Sequence, residues 1–361
     1  MAFFGVTIET IEKVWTHPDP AVERLALAKV KGLAFQFVVL KLQFKEGDSV
    51  IYFPVDSLIP DSLINKMGMT GKFAGPNKNR VKSIKLRSAI SQGFVIEPDK
   101  ILPPEMMNKS SEEITTFLGV TKYEPPVNVV NDSILMGLPS QLSVYDIEGA
   151  DRFQDVIDLL MDQEVVVMEK MEGTNSSFCK NHDAQLFVNQ RNNTIIEKEG
   201  TEHTFWKVAR NLGLLEIIKN HEEPEVAIYG EICGPKIQDN IYELKDHVCF
   251  TFDMKINGQW ADFKTFKEYM EKCNYKTIAP ILFVGKLRDF LKEEHSVEGE
   301  ENSVVVTYKS IQEASNGKSI LNPKVRREGI VIKPLVEQSH PKLGRLIIKQ
   351  RSPEYLASSD R

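Results

Sequence analysis

The sequence predicts an α+β protein of two domains, a small all-β barrel followed by a larger mixed domain. Three features lead to this expectation. The chain has 361 residues, enough for two domains of roughly 150 residues each. Its first hundred residues carry short β-branched and aromatic runs punctuated by glycine, proline and aspartate. Beyond about residue 150, runs of that kind alternate with stretches of helical period.

The N-terminal strands are expected at Val6 to Ile11, Leu25 to Val30, Phe35 to Leu40, Val50 to Phe53, Val81 to Leu86 and Gly93 to Ile96. That count fits a closed barrel of the oligonucleotide-binding (OB) type, and the spacing also permits an SH3-like barrel. Pro103-Pro104 opens a linker that Pro125-Pro126 closes, with a short helix over Ser110 to Leu118. The expected boundaries are 1–102 for the barrel, 103–129 for the linker and 130–361 for the second domain.

In that domain Arg152 to Met161, Phe205 to Ile218, Phe263 to Cys273 and Leu287 to Glu294 have helical period. Val165 to Met168, Val226 to Tyr229, Val248 to Met254, Gly329 to Lys333 and Leu346 to Lys349 read as strands. The acidic stretch Glu293 to Glu301 reads as a solvated face running into a loop.

Bulk properties narrow the function. Hydrophobic residues make up 42% and charged residues 27%, which excludes whole-chain disorder and a fibrous repeat. The net charge of -6 argues mildly against a nucleic-acid binder, yet binding needs a local basic surface rather than a basic total. No run approaches the roughly 18 apolar residues of a membrane span, so no membrane association is expected. Met1-Ala2-Phe3-Phe4-Gly5 carries no basic leader, and an intracellular protein, cytoplasmic or nuclear, is expected. Cys179, Cys233, Cys249 and Cys273 form no CxxC pair, which argues against a disulfide scaffold or zinc ribbon.

One segment stands out: Glu169-Lys170-Met171-Glu172-Gly173-Thr174-Asn175. A strand delivers the lysine, and a glycine three residues on permits a tight turn. Alone, a KxxG match is weak. Here it is followed in order by Tyr229-Gly230-Glu231, Phe250-Thr251-Phe252-Asp253, Glu328-Gly329-Ile330-Val331-Ile332-Lys333-Pro334 and Leu346-Ile347-Ile348-Lys349-Gln350-Arg351. Their order and kind resemble motifs I, III, IIIa, IV and V of the covalent nucleotidyltransferase superfamily. Lys-x-x-Gly-Thr-Asn, Tyr-Gly-Glu and Glu-Gly-x-Val-x-Lys-Pro resemble the RNA ligase branch. With a barrel module in front, the arrangement is similar to the Deinococcus and Naegleria type of RNA ligase.

The resemblance implies a C-terminal nucleotidyltransferase (adenylyltransferase) domain of antiparallel sheets and helices. It also implies ATP and Mg²⁺ or Mn²⁺ as cofactors. Lys170 would attack the α-phosphorus of ATP and form lysyl-AMP. An amine attacks only when deprotonated, and free lysine has a pKa of about 10.4. Burial and neighbouring cations, here a bound metal and Lys349, favour the neutral amine. Of Glu231 and Glu328, the first is expected on the ribose hydroxyl and the second on a hydrated metal, with Glu172 beside it. Lys333 and Lys349 are expected as a phosphate clamp. Arg191, 21 residues after Lys170, is expected at phosphate or the 5′-phosphate end, and Asn175 near the 3′-end acceptor. Phe252, or Phe250 on the same strand face by period two, is expected to stack on adenine, whose amino group Glu169 or neighbouring main chain reads. Motif V usually reads Lys-x-Lys, and Arg351 in the second position departs from it.

Between Lys66 and Arg87 lie seven basic residues, Lys78, Arg80, Lys82, Lys85 and Arg87 among them, with no acid between. Such a local excess suits a groove that tracks a phosphate backbone. The expected function is sealing of an RNA 3′-hydroxyl to a 5′-phosphate end, through lysyl-AMP and an adenylylated polynucleotide. The expected partner is a nicked or broken RNA-containing duplex, and the expected state is a monomer. A DNA ligase or an mRNA capping guanylyltransferase is the alternative within the superfamily. The Gly-Thr-Asn tail and the expected lack of a barrel after motif V weigh against a DNA ligase; a capping enzyme too normally carries its barrel there, and it would incorporate GMP. A non-catalytic nucleic-acid-binding adaptor is the alternative of another class. No G-x-x-x-x-G-K-[ST] loop is present.

Overall fold

The computed structural model describes residues 3–87, 89–123, 134–296 and 304–358. The expected close of the linker at Pro125-Pro126, the domain start near 130 and positions 297–301 of the acidic stretch lie outside them. The described residues form two compact units. One holds 3–123, 149–155 and 351–358, and the other 134–148 and 156–350.

The first unit is built on strands β1 (Thr7–Thr16), β2 (Leu25–Val30), β3 (Phe37–Leu40), β4 (Ser49–Phe53) and β5 (Phe94–Ile96). They form one antiparallel sheet in the order β3-β2-β1-β4-β5. The long β1 pairs with β4 through Thr7 to Thr10 and with β2 from Ile11 onward, its register shifting between Ile11 and Lys13. A bulge of this kind bends a strand, so one strand serves both halves of a coiled sheet. The β4 run Val50-Ile51-Tyr52-Phe53 is buried on both faces: Val50 and Tyr52 pack with Ile11 and Phe37, while Ile51 and Phe53 pack with Ile59 and Ile114. This is why it reads as continuously apolar rather than alternating.

The Val81 to Leu86 strand is shorter than expected. Only Ile84–Leu86 pairs, in a hairpin with Ala89–Ser91. The segment read as a linker packs into this unit over its described part. A capping box closes Ser110 onto Glu113 at the start of helix Ser111–Phe117. Ile114, Leu118 and Val120 enter the core, and Thr121–Lys122 pairs with Ser57–Leu58. The apolar spacing after Ser110 supplies a face that burial rewards more than exposure in a linker.

The second unit holds two larger sheets. Strands β6 (Glu164–Glu169), β7 (Thr174–Lys180), β8 (Leu186–Gln190), β9 (Asn193–Ile196), β10 (Val226–Cys233), β11 (Val248–Ile256), β12 (Ile281–Lys286), β13 (Gly329–Pro334) and β14 (Ile348–Arg351) carry it. A seven-stranded sheet runs Ile134–Gly137, β9, β8, β7, β10, β11, Gln259–Trp260, and a second sheet contains β14, β13, β6 and β12 in that order. The pairings described within each are antiparallel. The main core holds Phe178, Ile228 and Met254 of the first sheet, Val166 and Met168 of the second, and Phe205, Ile218 and Phe266 of the helices.

Two helix expectations change. The Phe205 to Ile218 run is two helices, Thr204–Asn211 and Leu214–Lys219, because Gly213 takes φ 71° between them. The helix at Leu287 ends at Leu291, and Lys292–Ser296 pairs as a strand with the β-branched Val304–Tyr308. A ladder partner far along the chain overrides the local helical period.

Candidate active site

The site forms where the chain crosses from one sheet to the other. β6 ends at Glu169, and the Lys170 amide donates to the Gly329 carbonyl at 2.9 Å. That bond sets Lys170 beside Glu328, the residue before β13. The Lys170 Nζ lies 2.7 Å from Glu328 Oε2, with both side chains largely shielded from water. After Gly173 the chain enters β7. Gly173 is not in the left-handed region, so the expected turn is not its reason. A Cβ there would sit 2.5 Å from the Ile232 carbonyl and 2.8 Å from Glu231 Cγ. The glycine is required because β7 passes against β10 where Glu231 projects.

Glu231 faces Asn175 across the β7–β10 ladder, and the Asn175 side chain hydrogen-bonds its carboxyl. Burial pushes the Glu231 carboxyl up to about 8. The charge of Glu328 adds to this, while Lys170, Asn175 and Arg191 oppose it. Lys170, Glu231, Glu328, Asn175 and Arg191 are therefore one electrostatic group. Arg191 comes from the turn between β8 and β9, and its guanidinium lies 3.4 Å from Asp146. Lys349 of β14 reaches the same Asp146 oxygen at 3.9 Å.

Glu172 turns elsewhere. It is buried, and its carboxylate accepts from the amides of Asp239, at 3.0 Å, and Ile241, at 3.4 Å. Its own amide donates to the Tyr242 hydroxyl at 2.7 Å. Expected beside a metal, this carboxylate instead holds the loop after β10. Glu169 is also buried. Its Oε2 accepts from the Ile320 amide at 2.8 Å, while Oε1 has no hydrogen-bond partner among the described residues. Burial raises its pKa against the pull of Ser319, Ile320 and Arg327.

Lys333, expected on phosphate with Lys349, sits in a different place. It is 1% exposed and donates to Asp253 Oδ1 at 2.6 Å. Arg345 binds the other Asp253 oxygen at 2.6 Å and pairs with Glu337. Burial opposes ionisation of Asp253, but Lys333 and Arg345 together hold it below the usual carboxylate range. The Tyr145 hydroxyl donates to the same carboxylate at 2.7 Å.

The two candidate stacking rings differ in burial, although both touch the main core. Phe250 lies in the main core against Tyr242. Between Thr251 and Asp253 the β10–β11 register shifts, so Phe252 is an extra residue in the ladder and the period-two expectation fails there. Phe252 is half-buried and packs 5.0 Å from the ring of Tyr145.

In the first unit Arg80 is not a surface cation. It is 9% exposed, pairs with Asp56 at 2.6 Å and stacks 3.5 Å from the Tyr123 ring centre. Lys78, Lys85 and Arg87 are exposed and Lys82 is half-buried. Arg351 joins Arg80 on Asp56 at 2.9 Å. The second position of the motif V pattern is thus engaged by an acid of the unit to which Arg351 itself belongs.

Sequence reasoning missed Asp146, Tyr145, Glu337 and Arg345. An aspartate inside an apolar strand run, as Asp253 is, signals a buried cation partner. Asp146 lies in an irregular segment and leaves no periodic signal. Among the described residues no cluster of three or more His, Cys, Asp or Glu is placed to hold a metal alone, and no helix is long and apolar enough to cross a membrane.

Comparisons with known proteins match this arrangement. The RNA ligase family model matches residues 163–350, and an OB-fold domain model matches residues 6–98. A Naegleria gruberi RNA ligase with PPi is 25% identical, with 98% of each chain covered and a TM-score of 0.78. A mutant of a Naegleria gruberi RNA ligase with ATP and Mn is 26% identical over 99% of each chain, TM-score 0.78, as is another with AMP and Mn. No curated protein matches.

Proposed function

The chain belongs to the RNA ligase family, and on that basis we propose that it is an ATP-dependent enzyme that seals RNA ends by way of lysyl-AMP. The observation that carries this reading is the Lys170 amine at a strand end, 2.7 Å from Glu328 and within the field of Glu231 and Arg191. A solvated surface lysine would have no such company.

Each residue has a task in three transfers. In the first, the Lys170 nitrogen forms a bond to the α-phosphorus of ATP as the bond to pyrophosphate breaks. Glu328 orients the amine. Lys349 and Arg191 neutralise charge that grows on the phosphates, which matters most where the field is preorganised. Glu231 holds the ribose hydroxyl, and the unpartnered Glu169 Oε1 is an acceptor available to the adenine amino group. Phe252 supplies the stacking face. In the second transfer AMP passes from Lys170 to a 5′-phosphate. In the third an RNA 3′-hydroxyl, placed by Asn175, attacks that phosphate and AMP leaves.

The family implies Mg²⁺ or Mn²⁺, and the donor set fits. Glu328 is a hard oxygen donor whose charge bears on Glu231, and a divalent cation held by Glu328 through water would offset that charge. When bound, the ion supplies charge compensation to the phosphates. Glu172 serves in support of the site through the loop it holds. Lys333 acts through Asp253 and Arg345, as part of the frame behind Phe252.

RNA is the proposed substrate, in a nicked or broken duplex, with a monomeric enzyme in the cytoplasm or nucleus. Lys78, Lys82, Lys85 and Arg87 are the proposed backbone-binding residues, without Arg80. Labelled ATP should leave an AMP adduct on the wild-type chain and none on Lys170→Ala. A GMP adduct would point to capping, and RNA binding without any adduct to an adaptor. Sealing of nicks with RNA or DNA placed separately on each side reads the strand requirement.

A further inference from the structure

We infer that Asp146 is a positioning residue that sets Arg191 and Lys349 in register for the phosphates; this rests on the ligase reading above. The two cations arrive from different sheets, Arg191 from the β8–β9 turn and Lys349 from β14. Neither backbone fixes the other. Both side chains are long, with several rotatable bonds to restrict. Their common partner is one carboxylate oxygen, Asp146 Oδ1, on a side chain only 7% exposed. Asp146 is itself held by its neighbour. The Tyr145 hydroxyl bonds the buried Asp253, and its ring packs on Tyr229 at 5.2 Å and Trp260 at 5.5 Å. A buried anion on a pinned segment thus gives two cations from separate sheets a shared reference point. Displacement of such groups by about 1 Å costs a transfer reaction on the order of 10²-fold.

The test uses the full chain with Asp146→Asn, Asp146→Ala and Asp146→Glu. Single-turnover lysyl-AMP formation is followed against ATP concentration, with pyrophosphate affinity and the thermal unfolding midpoint measured alongside. Asn and Ala should slow the reaction at saturating ATP by roughly 10- to 100-fold. Half-saturating ATP should move only a few-fold, the midpoint should hold, and Glu should recover much of the rate. An unchanged rate overturns the inference. So does tighter binding of ATP or pyrophosphate, which would make Asp146 a competitor of phosphate. A loss that Glu does not recover, with a lowered midpoint, also overturns it. Should Asp146→Ala fail to fold, the near-isosteric Asn variant carries the measurement. Failure of the ligase reading is seen separately, as a wild-type chain that forms no adduct.

Discussion

The second unit contains two clusters of opposite charges that differ in what they leave open. Around Lys170, side chains from both sheets meet with partial exposure: 23% for Lys170, 12% for Glu328 and 26% for Lys349. Around Lys333, the charges are sealed, with Lys333 at 1% and Asp253 at 0%. Lys349 of the first cluster and Lys333 of the second both lie in motif segments on strands, and the family resemblance implied both as phosphate ligands. The contrast lies in electrostatic demand, which the first cluster leaves partly unmet and the second satisfies. Glu231, held up near 8, is that demand in the first cluster. In the second, Asp253 is met on both oxygens and stays ionised.

Lys170→Ala separates the two clusters most strongly. It should abolish the AMP adduct and lower the denaturant midpoint less than Lys333→Ala does, because Lys170 and Glu328 keep some contact with water and Lys333 and Asp253 keep almost none. Lys333→Ala should do the reverse first. Removing one partner of a sealed pair leaves Asp253 and Glu337 under-compensated, at a cost of about 3–5 kcal/mol in unfolding free energy. Adduct formation per folded molecule should survive better than in Lys170→Ala, and equal loss with unchanged stability would place Lys333 on the phosphate instead.

The third expectation is a pH profile. The Glu231 carboxyl titrates near 8 in the fold and at about 4.3 when unfolded. Between these values the folded chain holds the extra proton, so stability falls as pH rises through that window and levels above it. Glu231→Gln should remove that slope, with its largest gain over wild type above pH 8. Urea unfolding at pH 5, 7 and 9 reads the difference.

The smallest effect concerns the first unit. Alanine at Lys78, Lys85 or Arg87 should weaken RNA binding modestly, flattening the slope of log affinity against log salt by about 0.9 for each duplex phosphate no longer neutralised, or about 0.7 on a single strand. Arg80→Ala should instead lower stability with no change of slope, since its guanidinium is engaged by Asp56 and Tyr123.

Much of the fold was legible because it rests on local pattern. β2, β4 and β10 are runs whose apolar or β-branched character has no helical alternative of comparable length. The breaks at Gly213 and Leu291 were not legible, because a glycine conformation and a distant strand partner decide them. In the site, Lys170, Glu231 and Glu328 were legible from motif order. Asp146 was not, since nothing in its own segment predicts two cations arriving from elsewhere.

Residue type and short-range spacing were enough to lay out the order of the motifs and the two-part architecture, and the family resemblance of those motifs pointed to Lys170 as the expected carrier of an adenylyl group. Folding in three dimensions settled the rest: Lys349 faces the open cluster while Lys333 is sealed, Glu172 holds a loop, and Arg80 is internal. Those outcomes depend on which charges meet across sheets and how much water they keep, and burial and Coulomb attraction act through space rather than along the chain.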